Sequence, residues 1–308
     1  MSIPKYKTHT PGEAVLSFFM KLIVYLIMVT FAAMAVMPIV WLILNSFKTT
    51  VEFSNNMIAL PDHWTFQNYI GAWKIGDFSI LIGNSFFYTI GSTLGTLFLA
   101  LSAAFAFSKI PSKATVPIYG SFIIGILLTT QSLMVPIFLQ TSQLDLLLGN
   151  FLETLGVLRA SSFHLFYNSR FGVLLVYIGS ALPLGIYLGT EYIKSIPKAL
   201  VEAARIDGAG YWRIFFFIIF PMSLPIAMTI AIISVPSFWN EFALINILVS
   251  KIELQSLPLG IYRFSGTLAS DYGKQFAALV IGMGPMLLFY TVFRKQLTKG
   301  VSAGAVKG

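Results

Sequence analysis

The chain has 308 residues, 56% of them hydrophobic and 10% charged, with a formal net charge of +8 and no cysteine. That balance excludes one water-soluble core, because too many apolar side chains would remain on its surface. It excludes disulfides and thiolate metal sites as well, and the three histidines, His9, His63 and His164, are too far apart in sequence to form a local metal-ligand motif.

In chain order, Met1–Glu13 reads as a flexible stretch limited by Pro4 and Pro11, within an arm covering residues 1–21. Residues 22–297 then read as one membrane domain and 298–308 as a tail. Crossing a bilayer takes roughly 20 apolar residues, and six runs are long enough: Leu22–Leu44, Ile80–Phe107, Val116–Leu139, Phe171–Gly189, Pro221–Val249 and Phe276–Phe293. The first is too long for a signal-peptide core and lacks a small-residue cleavage site, so it is expected to remain as an anchor. Gly91, Ser92, Gly95 and Thr96 suit close helix packing in lipid. Pro136, Pro183, Pro225, Pro236 and Pro285 are expected to kink their helices.

With six spans, both termini lie on one side. That side carries thirteen of the 20 basic residues: Lys5, Lys7, Lys21, Lys109, Lys113, Lys194, Lys198, Arg205, Arg213, Arg294, Lys295, Lys299 and Lys307. The other side carries Lys48, Lys74, Arg159, Arg170, Lys251, Arg263 and Lys274. The excess makes the first side cytoplasmic. Scattering of the basic residues between apolar spans fits orientation better than nucleic-acid binding.

A polar island runs from Glu191 to Arg213, inside a loop placed at 190–220. Ser195 is suited to cap a helix and Pro197 to sit just inside its start. Helix formers from Lys198 to Arg205 follow, and Gly208 supplies a residue that can end a helix at positive φ. Ala199 and Ala203, with Ala204 beside them, form a small surface that another backbone can approach. The string Glu202-Ala203-Ala204-Arg205-Ile206-Asp207-Gly208-Ala209 resembles the EAA loop of ABC-importer permeases. That resemblance implies coupling to a cytoplasmic ATPase through Glu202, Ala203, Ala204, Asp207, Gly208 and Ala209. A helix lying on the membrane surface without a partner is the alternative.

From about Phe66 to Gly308 the chain resembles the second, smaller permease subunit of maltose-type carbohydrate importers. Phe66-Gln67-Asn68-Tyr69, Ser256-Leu257-Pro258-Leu259-Gly260 and the closing Val301–Gly308 carry this likeness. It implies an all-α, six-span, MetI-like fold in a bacterial or archaeal cytoplasmic membrane. It also implies a homologous permease partner, two ATPase subunits and an extracytoplasmic solute-binding protein. In that family the tail reaches between the ATPases, although Val301–Gly308 is expected by composition to be disordered on its own.

No phosphate-binding G-x-x-x-x-G-K-[S/T] loop and no G-x-S-x-G elbow is present. The chain therefore reads as a non-enzyme without a cofactor of its own, ATP and Mg being bound by the partner ATPase. Trp239, Asn240 and Glu241 combine an aromatic ring, an amide and a carboxylate near the outer end of the fifth run, a set suited to a sugar. A helix continuous from Pro221 places Glu241 roughly 30 Å up. An interfacial aromatic for Trp239 and a snorkelling carboxylate for Glu241 remain open. Aligned on the family, Ser180, Ala181 and Leu184 fall on sugar-contact positions. Ser46–Ser79 and Asp145–Arg170 are outer segments that either meet the binding protein or form ordered caps. The readings kept beside a sugar importer are an importer of another solute, such as a polyamine or phosphonate, and an ion-coupled secondary carrier. Few charges in the spans weigh against both.

Overall fold

The computed structural model describes residues 11–156, 163–267 and 271–305, and every regular element among them is helical. Of the basic residues used for orientation, Lys5, Lys7, Arg159 and Lys307 lie outside the described residues. The chain divides into two compact units, Met1–Ala72 with Leu268–Val280, and Trp73–Thr267 with Ile281–Gly308.

In the first unit, α1 (Pro11–Asn45) starts inside the segment read as an arm. A proline at the first helical position loses no hydrogen bond, so Pro11 opens this helix. The apolar side chains from Phe18 to Val40 are left exposed by this chain, as expected of a helix solvated by lipid or by another subunit. The next helix, α2 (Thr50–Asn55), is fixed by a capping box between Thr49 and Glu52. Then α3 (Gln67–Ile75) delivers the Phe66–Tyr69 motif. Buried Asn68 donates to the carbonyls of Ser46 and Lys48, both at 2.8 Å, and the Tyr69 hydroxyl meets Ser46 Oγ at 2.5 Å. The rings of Phe66 and Tyr69 pack on Phe47 at 5.3 and 5.4 Å. The motif is thus a staple that ties α3 to the turn after α1 and gives the carbonyls of Ser46 and Lys48 a donor.

The second unit contains α4 (Phe78–Lys109), α5 (Thr115–Ile126), α6 (Thr130–Thr154), α7 (Arg170–Lys194) and α8 (Lys198–Ile206). Next come α9 (Tyr211–Ile214), a π-helical turn Phe215–Ile219, α10 (Phe220–Met222), α11 (Leu224–Trp239), α12 (Ala243–Leu248) and α13 (Leu257–Thr267). The last helix, α14 (Tyr272–Ala305), contributes residues to both units. Its helical backbone reaches further into the tail than composition suggests, as far as Ala305.

Among the described residues four helices are long and apolar enough to cross a membrane: Ser17–Asn45, Phe78–Lys109, Arg170–Lys194 and Tyr272–Lys295. Counting two bent pairs as one span each gives six. The bends are departures from the sequence reading. The third run is not one helix but α5 and α6, turned 111° apart at residues 127–129. The Thr129 and Ser132 hydroxyls meet there at 2.8 Å and offer local partners to an interrupted backbone. The fifth run starts at Tyr211, not Pro221, bends 73° near Ser223 and ends at Trp239. Pro225 has no N–H to give to the preceding turn, and the wide turn at Phe215–Ile219 already loosens the ladder.

Helices α4 and α7 form the central pair of the second unit. A Cβ added at Gly91 or Gly95 of α4 would lie 2.9 or 2.5 Å from Leu174 or Ile178 of α7. Reciprocally, a Cβ at Gly185 or Gly189 of α7 would lie 3.0 Å from Ala100 or Ala104 of α4. Both helices therefore carry a Gly-x-x-x-Gly face, and each receives the other's side chains. Replacing Gly189 by Val is expected to force the pair apart, at a cost of about 1–3 kcal/mol. Thermal unfolding of the purified assembly checks this; an unchanged midpoint would mean that the seam tolerates bulk.

Two loops are held by polar groups projecting from helices. Buried Asp145 of α6 accepts three backbone N–H groups, from Leu165 at 3.0 Å, Phe166 at 2.9 Å and Tyr167 at 2.7 Å. On the other flank Asn168, at φ 55°, donates its N–H to Leu248 and accepts from the N–H groups of Ser250 and Lys251. Asn84, Ser85 and Tyr88 of α4 bind the backbone of residues 253–257 in the same manner, and Arg170 donates to Asn84 Oδ1 at 3.0 Å. That stretch leads into the Ser256–Gly260 motif, where Gly260 lets Leu81 approach closer than any side chain would allow.

Candidate functional site

The site is assembled where α7 ends and α8 begins. Lys194 closes α7, and the Ser195 hydroxyl returns to the Tyr192 carbonyl at 2.6 Å. Ser195 therefore finishes α7 rather than capping α8, as the sequence suggested. The Tyr192 carbonyl accepts both the backbone N–H and the hydroxyl of Ser195, whereas Pro197 occupies the position before α8. Lys109 of α4 donates to the carbonyl oxygens of Lys194 and Ile196. It thus satisfies acceptors that a helix end leaves unpaired.

One edge of α8 is fixed and the other is bare. Val201 is buried among Ile193, Ile196, Ile214 and Phe215, with Ala204 and Ala209 packed against the same cluster. Ala199, Glu202, Ala203, Ile206 and Asp207 are exposed, Ile206 to 87%. Of the three alanines expected to form one small surface, Ala199 and Ala203 face outward and Ala204 faces in. The helix ends in a left-handed residue: Gly208 has φ 79°. Its N–H bonds the Arg205 carbonyl at 3.0 Å, while the N–H of Ala209 reaches back to Ala204 at 2.9 Å. These are the two crossed bonds of a Schellman ending, with Ala204 and Ala209 as its apolar contact. Arg205 is held over the Tyr211 ring at 5.2 Å. What results is a rigid nine-residue helix with an exposed apolar and acidic edge, unmatched by any surface of this chain among the described residues.

A second feature lies between α7 and α11. Ser180, Ala181 and Leu184 line an open hollow of about 150 Å³ together with Thr130, Ser234, Ser237 and Phe238. The structure thus brings the α7 candidates together with two serines that sequence reading left out. Their signal was present as hydroxyls three residues apart in an apolar helix. Trp239, Asn240 and Glu241 do not line this hollow. Trp239 is buried with its ring 5.0 Å from Phe86, and exposed Asn240 donates to the Pro236 carbonyl at 3.0 Å. Glu241 accepts the N–H groups of Leu244 and Ile245 and the Tyr177 hydroxyl at 2.9, 3.2 and 3.2 Å. A carboxylate on free N–H groups starts a new helix, α12, which is why the fifth run does not continue to Val249. Tyr177, absent from the sequence reading, also stacks on Phe238 at 5.5 Å.

Comparison with known proteins gives the family. The family described as binding-protein-dependent transport system inner membrane component matches residues 13–302. The chain belongs to that family. The diacetylchitobiose uptake system permease protein NgcG of Streptomyces coelicolor is 29% identical over 283 residues, covering 91% of this chain and 87% of the relative. The multiple sugar-binding transport system permease protein MsmG of Streptococcus mutans is 31% identical over 289 residues, covering 92% and 96%. Among solved structures, a bacterial ABC transporter involved in the import of the acidic polysaccharide alginate superposes with a TM-score of 0.73. At 21% identity, covering 95% of this chain and 99% of the other, it establishes a shared fold. The family member described here is therefore a membrane permease of the ABC-importer type, with the all-α architecture anticipated from its sequence.

Proposed function

We propose that this chain forms half of the translocation pathway of an ATP-driven sugar or oligosaccharide importer, with α8 as its contact to the ATPase. The observation that carries the reading is α8 itself: a nine-residue helix anchored through Val201, ended by Gly208 at positive φ and bare along Ala203, Ile206 and Asp207. An exposed apolar edge beside a carboxylate fits a cleft on another protein better than water or lipid tails. The named relatives transport diacetylchitobiose and multiple sugars, and one solved assembly pairs an alginate transporter with a pentasaccharide-bound periplasmic protein. These support a carbohydrate cargo and an extracytoplasmic binding protein; a homologous permease partner and two ATPase subunits complete the proposed assembly. ATP and Mg would be held by the ATPases, this chain serving as pathway without a cofactor. Both termini, and α8 with them, belong on the cytoplasmic side by the distribution of basic residues.

In this mechanism, closure of the ATPases draws the two α8 helices together and rocks the permeases from inward-facing to outward-facing. Solute then meets the hollow between α7 and α11, where Ser180 and Ser237 offer hydroxyls and Leu184 and Phe238 offer apolar faces. Proteoliposomes containing the assembled importer test the reading. Uptake of a labelled oligosaccharide is expected only with ATP on the α8 side and binding protein on the other; uptake without any ATPase would favour an ion-coupled carrier. A narrower check uses the absence of native cysteine. Ser237→Cys is expected to react with a hydrophilic thiol reagent during turnover and to slow when oligosaccharide is in excess. A thiol shielded in every state would remove this hollow from the pathway.

A further inference from the structure

A second pocket, of about 440 Å³, lies along the Lys198–Arg205 flank of α8, next to its bare edge and sharing Glu202 with it, and is bounded by the turn from α4 to α5. Its lining includes Lys109, Lys198 and Arg205, the hydroxyl residues Ser112 and Thr115, and exposed Val116. Glu202 is its single carboxylate. Among the described residues no salt bridge to a carboxylate involves any of the three cations. Lys109 is held on backbone carbonyls and Arg205 on the Tyr211 ring, so the pocket carries three cations against the one carboxylate of Glu202. The location narrows the ligand. Apolar helices α4, α5 and α7 all begin or end here, so the pocket opens where a bilayer's hydrocarbon gives way to its headgroups. Val116, 78% exposed, and Ile118, 46% exposed, continue from its rim onto the apolar face of α5.

We propose that this pocket binds the phosphate headgroup of an anionic membrane lipid, with its acyl chains laid along α5. Lys198 and Arg205 contact the phosphate, while Ser112 and Thr115 donate hydrogen bonds to its oxygens. Basic pockets at the ends of transmembrane helices suit anionic headgroups on charge, and the apolar continuation onto α5 distinguishes a lipid from a free anion. Two of the cations belong to α8, so an occupied pocket would tie the coupling helix to the composition of the surrounding bilayer. The proposal goes beyond the transport reading and does not depend on which solute is carried.

The test uses the assembled importer carrying Ser112→Cys, placed in nanodiscs of phosphatidylcholine with or without phosphatidylglycerol. A neutral maleimide reports access to the pocket mouth. Phosphatidylglycerol is expected to slow alkylation, and removal of one charge by Lys198→Gln or Arg205→Gln is expected to weaken that protection about fivefold. Lys198→Arg, which keeps the charge, is expected to retain it and serves as the folded control. Equal alkylation in both bilayers would overturn the proposal. So would protection by inorganic phosphate in phosphatidylcholine alone, which would identify a soluble anion, or complete shielding in phosphatidylcholine, which would mean that a partner protein covers the pocket.

Discussion

Gly208→Val is expected to abolish stimulation of ATPase activity by loaded binding protein and to reduce uptake about tenfold or more, while the protein still inserts and pairs. The φ of 79° at this position is the cause. A left-handed backbone costs an L-residue roughly 1–2 kcal/mol, and more for a β-branched one. About 1.4 kcal/mol already corresponds to a tenfold loss of the competent conformation. Apart from Gly208 and its two chain neighbours, no atom of the described residues lies within 4 Å of where a Cβ at Gly208 would be, so the effect is conformational and not a clash. A graded series follows: Gly208→Asn mildest, since Asn tolerates the left-handed region, then Gly208→Ala, then Gly208→Val. Equal loss in all three would point instead to an obstructed docking surface. Full stimulation and normal uptake in Gly208→Val would mean that the end of α8 plays no part in coupling.

The second large effect is expected at Asp145. Removing its carboxylate in Asp145→Ala leaves three backbone N–H groups of residues 165–167 without their acceptor. Each such group costs about 1–3 kcal/mol when buried, and a total on the order of 3–5 kcal/mol is consistent with the loss of a buried network. Asp145→Asn keeps an acceptor oxygen and is expected to lose less. Hydrogen exchange at the amides of Leu165, Phe166 and Tyr167 reads this directly, with Asn168 on the far flank as an internal reference. If exchange there is as slow in Asp145→Ala as in the native protein, the carboxylate is not the anchor of this loop.

Much of this was legible in the sequence because it depends on local chemistry. Gly208 ends α8 for reasons contained in its own backbone, and the apolar runs report where the chain leaves water. The Gly91/Gly95 face was visible for the same reason, although its counterpart at Gly185 and Gly189 was not paired with it. Hydropathy does not encode direction, which is why the 111° turn after α5 went unread: residues 127–129 contain neither Pro nor Gly. The contacts of Glu241 were not legible either: its carboxylate accepts the N–H groups that begin α12, just past the end of α11. The partners of Asp145 lie about 20 residues away and the backbone partners of Asn84 about 170, distances over which no sequence pattern operates. Ser195 shows a finer limit, since a hydroxyl between two helices can serve either one.

The interlocked glycine faces of α4 and α7 have a mechanical consequence. Side chains seated in facing notches resist sliding, so the two helices turn together as a stiff rod. Ser180 and the end of α7 lie on the same rod, 14 residues apart in sequence and about 21 Å apart along its axis. With its pivot at the Lys194 end, tilting the rod by about 10° would sweep Ser180 through about 4 Å, on the order of a sugar ring's thickness. Under the proposed function, the gearing between α8 and the hollow would be a matter of leverage along one stiffened helix, its ratio set by where four glycines allow two backbones to mesh.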